Sequence, residues 1–137
     1  MFPQMNEKPR PLIDDDSRPY WEAAKEHRLC IPRCKACGTH IFYPRALCTA
    51  CYSDDLEWVD VSGAGEIYSY TISRRGSSPV FKDDAPYVVA VIQLAEGPRM
   101  LSNVLTDDVE SVRVGQKVKV VFEDVDEELT LPKFTPA

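Results

Sequence analysis

Two C-x2-C pairs, Cys34/Cys37 and Cys48/Cys51, lie ten residues apart in a chain of 137. Residues i and i+3 of a tight turn aim two sulfurs at one ion, and a second such turn facing the first completes a tetrahedron. Gly38 follows Cys37 and readily takes the backbone shape that turns amides toward thiolates. Tyr52 follows Cys51, so the second turn is expected to be less ideal. Four thiolates leave no position open to water or substrate, which makes such a site structural rather than catalytic. Zinc is the expected ion, and an all-sulfur tetrahedron suits iron as well. Metal is favoured over disulfides because the chain reads as cytoplasmic. Its N-terminus, MFPQMNEKPRP, lacks the apolar core of a signal peptide, and no apolar run reaches the ~20 residues that cross a bilayer.

The charge distribution separates the chain into two parts. Residues 1–82 carry eleven acidic and eleven basic side chains, while 83–137 carry eleven acidic and five basic, so the whole net charge of −6 belongs to the C-terminal part. Between Glu26 and Asp54 there is no acid, only Arg28, Arg33, Lys35 and Arg45. A second acid-free run, Ile67 to Lys82, holds Arg74, Arg75 and Lys82. These are small basic islands on an acidic protein, not the broad basic face that a polyanion such as DNA meets.

Three segments follow from the patterning. In residues 1–28, a loose arm of about twelve residues precedes a helix of about three turns in DDDSRPYWEAAKEHRL. Asp16 or Ser17 is placed to cap it, Pro19 sits where its missing N–H costs nothing, and Tyr20, Trp21 and Ala24 give it an apolar side. Residues 29–60 form the cysteine segment, with LCIPRC and HIFYPRALC expected as short strands leading into the pairs and LEWVDV leading out. In residues 61–137 the period changes to that of strands: GEIYSYTIS, PYVVAVIQL, RMLSNVL, QKVKVVFEDV and ELTLPKF, separated by glycine turns. Five strands in so short a length point to a small closed barrel of the OB type. The fold class is therefore mainly β: an N-terminal helix, a rubredoxin-like zinc ribbon, then a five-stranded OB-fold barrel.

Little else in the chain carries chemistry. Cys30 reads as a half-buried strand thiol, since a nucleophile needs a base and His27 and His40 are the two histidines available. No Ser/His/Asp set, phosphate loop or carboxylate pair emerges, and EDVDEE reads as a solvated acidic run.

The order W-E-A-A-K, C-x2-C-G, F-Y-P-R-x2-C-x2-C, L-E-W-V-x-V-S-G-x-G-E-I-Y-S-Y-T, P-Y-V-V-A-V-I-x-L, V-G-Q-K-V-K-V-V-F and L-P-K-F-T-P resembles the zinc-ribbon and OB-fold proteins catalogued as domain of unknown function 35. The resemblance runs from about Pro11 to the end, with the family's cysteines on Cys34, Cys37, Cys48 and Cys51. It implies an accessory subunit, not an enzyme, that partners a thiolase-like enzyme (a thiolase or lipid-transfer-type aldolase) or a hydratase and helps to bind or channel acyl-CoA. An assembly with two copies of each chain is expected. CoA has a phosphate-rich end and a long thin arm, which suits a few cations beside an aromatic-lined groove. Phe42, Tyr43 and Arg45 in the ribbon, with Tyr68, Tyr70, Arg74 and Arg75 near the first barrel strand, are the candidate contacts, and Tyr20 and Trp21 the candidate partner-docking residues. The alternative is a single-stranded nucleic-acid-binding module, a role both ribbons and OB barrels fill, against which the charge balance argues. A third is electron transfer by an iron-loaded site.

Overall fold

The computed structural model describes residues 8–76 and 78–137. Residues 1–7 of the expected arm, and Ser77 of the turn at 76–79, lie outside the described residues.

Helix α1 spans Arg18–Lys25, eight residues and shorter than the three turns expected. The residues before it are spent on a turn in which the Asp14 carboxylate accepts from the Ser17 N–H (2.9 Å) and the Asp14 carbonyl from the Arg18 N–H (2.9 Å). Asp14 thus does the work expected of Asp16 or Ser17, whose side chain makes no capping bond. At the far end His27 takes φ +59° and the Arg28 N–H reaches back to the Ala23 carbonyl (3.0 Å). That 6→1 bond closes the helix, so His27 and Arg28 lie beyond it rather than in its last turn. Tyr20, Ala23 and Ala24 are buried.

The cysteine segment contains strand β1 (Cys30–Cys34) and strand β2 (Leu56–Asp60), paired antiparallel from Cys30↔Asp60 to Cys34↔Leu56. The strand expected in HIFYPRALC does not form. It is reduced to one bridge, Arg33↔His40, and the chain then folds back irregularly to bring the second cysteine pair beside the first. Pro44 in that stretch has no N–H to offer a ladder. The ribbon's strands therefore flank the cysteine turns instead of lying between them.

The remaining strands are β3 (Ala64–Ser73), β4 (Tyr87–Leu94), β5 (Arg99–Val104), β6 (Lys117–Asp124) and β7 (Thr130–Pro136), closed into a barrel in the order β3-β4-β5-β7-β6. β5 meets β7 in parallel at Val104↔Phe134, and the other pairs are antiparallel. Strand β4 shows the inward period of two: Val88, Ala90, Ile92 and Leu94 are buried and the residues between them half-exposed. One apolar core joins these to Phe134, Val118 and Met100, and also to Tyr20, Leu29 and Ile31. The helix and β1 thus rest on the barrel and share its core. The crossing from ribbon to barrel turns at Gly63 (φ +79°), where a Cβ would stand 2.2 Å from Val120 Cγ1, so only glycine fits.

Candidate functional site

The structure gathers Cys34, Cys37, Cys48 and Cys51 with all four sulfurs within 4.8 Å of one another. Cys34 and Cys51 are 3.6 Å apart, as are Cys37 and Cys48. A tetrahedron with Zn–S bonds of ~2.3 Å requires sulfurs about 3.8 Å apart, so the donor set fits one ion in size and chemistry. The two turns have the same shape: the Gly38 N–H returns to the Cys34 carbonyl (2.8 Å) and the Tyr52 N–H to the Cys48 carbonyl (3.0 Å). Tyr52 achieves this at φ +64°, in the left-handed region that Gly38 occupies at +78° without penalty. The second turn is therefore equally well formed, at the cost of local strain. Cys34 and Cys48 are buried with Ile41 in a small core of their own, while Cys37 and Cys51 are exposed.

Electrostatics point the same way. The Thr39 hydroxyl and amide hold the Cys37 thiol down to about 6. The Ser53 N–H favours the thiolate of Cys51, but contact with Cys34, burial and contact with Cys37 and Cys48 outweigh it and push that thiol up to about 12. Four adjacent thiolates cannot all be charged at neutral pH without a cation among them. Cys30 is apart from this set, buried on β1 with its thiol pushed up by burial. It is more deeply buried than expected and is not a nucleophile candidate.

A groove of about 410 Å³ lies between α1, the loop following β1, and strands β5 and β7. One wall holds Tyr20, Trp21, Phe42 and Tyr43, and the other Met100 and Leu101. Tyr20 meets Trp21 edge-on at 4.9 Å and Phe42 at 5.6 Å, and Phe42 leans on Tyr43 at 4.4 Å. Tyr20 is only 6% exposed, so of the pair expected to dock a partner, Trp21 keeps the accessible surface. Arg45 does not line the groove; its Nε donates to the Tyr43 carbonyl (3.1 Å) and so braces the loop.

The four candidates on β3 (Tyr68 and Tyr70) and just beyond it (Arg74 and Arg75) are elsewhere. Tyr68 and Tyr70 face solvent, Tyr68 beneath the Arg99 guanidinium at 3.7 Å, and Arg74 pairs with Glu110 at 2.7 Å. They and Arg75 do not line the groove. The candidates thus divide into a ribbon group at the groove and a barrel group outside it. The barrel wall was not anticipated from the sequence; its one signal is Leu101, an apolar residue at an outward position of β5, 55% exposed.

Comparison with known proteins follows this geometry closely. Residues 21–57 match the family described as "ChsH2, rubredoxin-like zinc ribbon domain", and 58–123 match "ChsH2, C-terminal OB-fold domain". The chain is 39% identical over 130 residues to a probable enoyl-CoA hydratase alpha subunit of Thermomonospora curvata, covering 95% of this chain but 40% of that protein. It is 34% identical over 118 residues to a DUF35 domain-containing scaffold protein of Methanothermobacter thermautotrophicus, covering 85% of this chain and 88% of the relative. It is 30% identical over 93 residues to the benzoylsuccinyl-CoA thiolase subunit BbsA of Geobacter metallireducens, covering 66% and 58%. Among solved structures, an Ltp2-ChsH2(DUF35) aldolase chain superposes with a TM-score of 0.82 at 38% identity, over 93% of this chain and 98% of that one.

Proposed function

Because this chain belongs to the DUF35 family of zinc-ribbon and OB-fold proteins, we propose that it is a non-catalytic, acyl-CoA-associated subunit of a thiolase-superfamily enzyme. The observation that carries this reading is its whole-length likeness to the DUF35 chain of an aldolase that joins two components. Its side chains agree with that role. Among the described residues, the one cluster of cysteines or histidines suited to chemistry is the four-cysteine set, and a fully ligated ion has no open position. The catalytic nucleophile and bases would come from the partner.

Zinc is the proposed ion, held by Cys34, Cys37, Cys48 and Cys51, and its contribution is a cross-link that fixes the loop carrying Phe42 and Tyr43. That loop and α1 give the groove an aromatic wall suited to the thin apolar part of an acyl-CoA or to the partner's own surface. Arg45, bonded to the carbonyl of Tyr43 in that wall, would be the ribbon's cation for an anionic end. Trp21 would contact the partner. Tyr68, Tyr70, Arg74 and Arg75 would serve a second contact on the barrel's outer surface, separate from the groove.

Mild affinity capture of the tagged chain from its own host, with zinc in the buffer and mass spectrometry of what is retained, tests the reading. A stoichiometric thiolase- or hydratase-like protein is the expected result. Nucleic acid in its place, retained in a strongly salt-dependent way, would overturn it.

A further inference from the structure

A second, larger cavity of about 1180 Å³ adjoins the groove and shares Asn103, Leu131 and Lys133 with it. The N-terminal stretch runs along both. Lys8, Pro9 and Arg10 line the larger cavity, and Leu12 and Asp14 the smaller. No described residue from Lys8 to Pro19 is buried, and Leu12 is 87% exposed. Apolar burial therefore holds this stretch only in part, through the half-buried Pro11 and Ile13.

Its anchors are charged. Lys8 pairs with Asp84 and lies 5.8 Å from the centre of the Phe81 ring. Arg10 grips both carboxylate oxygens of Asp126, at 2.7 and 3.3 Å. All four side chains are 45–50% exposed, so both pairs are open to screening and contribute little. The next fixed points are the Asp14–Ser17 turn and then Tyr20, the first buried one among the described residues. From Lys8 on, stability along the chain thus rises in steps: weak as far as the Asp14 turn, firm from α1 onward. The acidic run EDVDEE, which the sequence presents as solvated surface, supplies one of the anchors through Asp126.

We infer that residues 8–13 form a releasable strap across one continuous trough made of both cavities, closed by the Lys8–Asp84 and Arg10–Asp126 pairs. Release leaves α1 and the barrel in place and opens the groove toward the barrel's end. The strap governs access to the groove whatever occupies it, so it stands or falls separately from the acyl-CoA reading.

Backbone ¹⁵N relaxation on the isolated chain tests this directly. From 0.01 M to 1 M salt the Debye length falls from about 30 Å to about 3 Å. The heteronuclear NOEs of the Arg10, Leu12 and Ile13 amides are expected to fall toward those of a free chain end as salt rises, and equally in a Lys8→Ala/Arg10→Ala variant at low salt, with those of α1 unchanged. The same variant is expected to bind the dye 8-anilinonaphthalene-1-sulfonate several-fold more tightly. NOEs indifferent to both salt and substitution, dye binding unaltered in the variant, or α1 loosening together with the arm, would each overturn the proposal.

Discussion

The ribbon and the barrel reach a fixed shape by opposite means. The barrel buries Val88, Ile92, Leu94, Val118 and Phe134 to within 1% of full burial, in a core that extends to α1 and β1. The outer half of the ribbon has a core of Cys34, Ile41 and Cys48 with Leu56 against it, and two of its four metal ligands are exposed. Apolar burial at ~25 cal/mol per Å² suffices for the first and not for the second. The aromatic loop of the groove belongs to the half that depends on the ion. The aromatic wall of the groove has thus been built on the less self-sufficient part of the molecule and set against the more rigid one.

The comparison is broken most severely by removing the metal. Chelation, or Cys34→Ser, forfeits a binding free energy that for structural zinc is on the order of 10–16 kcal/mol. Amide resonances of residues 30–60 are expected to collapse toward random-coil positions while those of β3–β7 persist. Collapse of both regions together would show that the barrel depends on the ribbon. Phe134→Ala strikes the other side, with an expected loss of about 3–5 kcal/mol in denaturant unfolding and zinc still bound after refolding.

Gly63→Ala acts at the junction. Its Cβ would meet Val120 at 2.2 Å and the backbone would be forced into a left-handed shape, so a loss of about 2 kcal/mol or more is expected, read by the same unfolding assay. Tyr52→Gly should do the reverse. Tyr52 is 79% exposed at φ +64°, and relieving that strain is expected to stabilise the zinc-loaded ribbon by about 1 kcal/mol, measured as slower metal release to a chelator.

The smallest effect is one of pH. Arg10, then the Glu128 and Leu129 amides, hold the Asp126 carboxyl down to about 2. A depressed carboxyl contributes stability above its unfolded value near 3.9 and loses it as pH falls through the folded one. An NMR titration should therefore find the Asp126 midpoint near 2, with the arm still docked at pH 4 in low salt. A midpoint near 4 would mean that the Arg10 contact does not form.

Much of this was legible in the sequence, for reasons that differ by region. All five barrel strands could be read because their signals are local: alternation, as at Val118, Val120 and Phe122, or a short apolar run between turns, as in PYVVAVIQL. The metal ligands were legible from spacing alone. The ribbon's pairing was not, because Ile31 meets Val59 across a long stretch of sequence that contains both cysteine turns, and no local pattern joins the two. Tyr20 and Trp21 are neighbours of like chemistry, and only the packing of α1 decides which is buried. Asp126 reads as one more solvated acid until the chain brings Arg10 to it from 116 residues away. Local patterning gave the elements, and contacts distant in sequence decided which side chains face the groove.

The most direct test of the central claim, a subunit that serves a partner's chemistry without performing its own, is acyl-CoA turnover by three purified samples: this chain alone with zinc, its captured partner alone, and the two combined. The account predicts no turnover by this chain alone and turnover by the combination well above that of the partner. Multiple turnovers by this chain alone, abolished by substitution of its own residues, would contradict it.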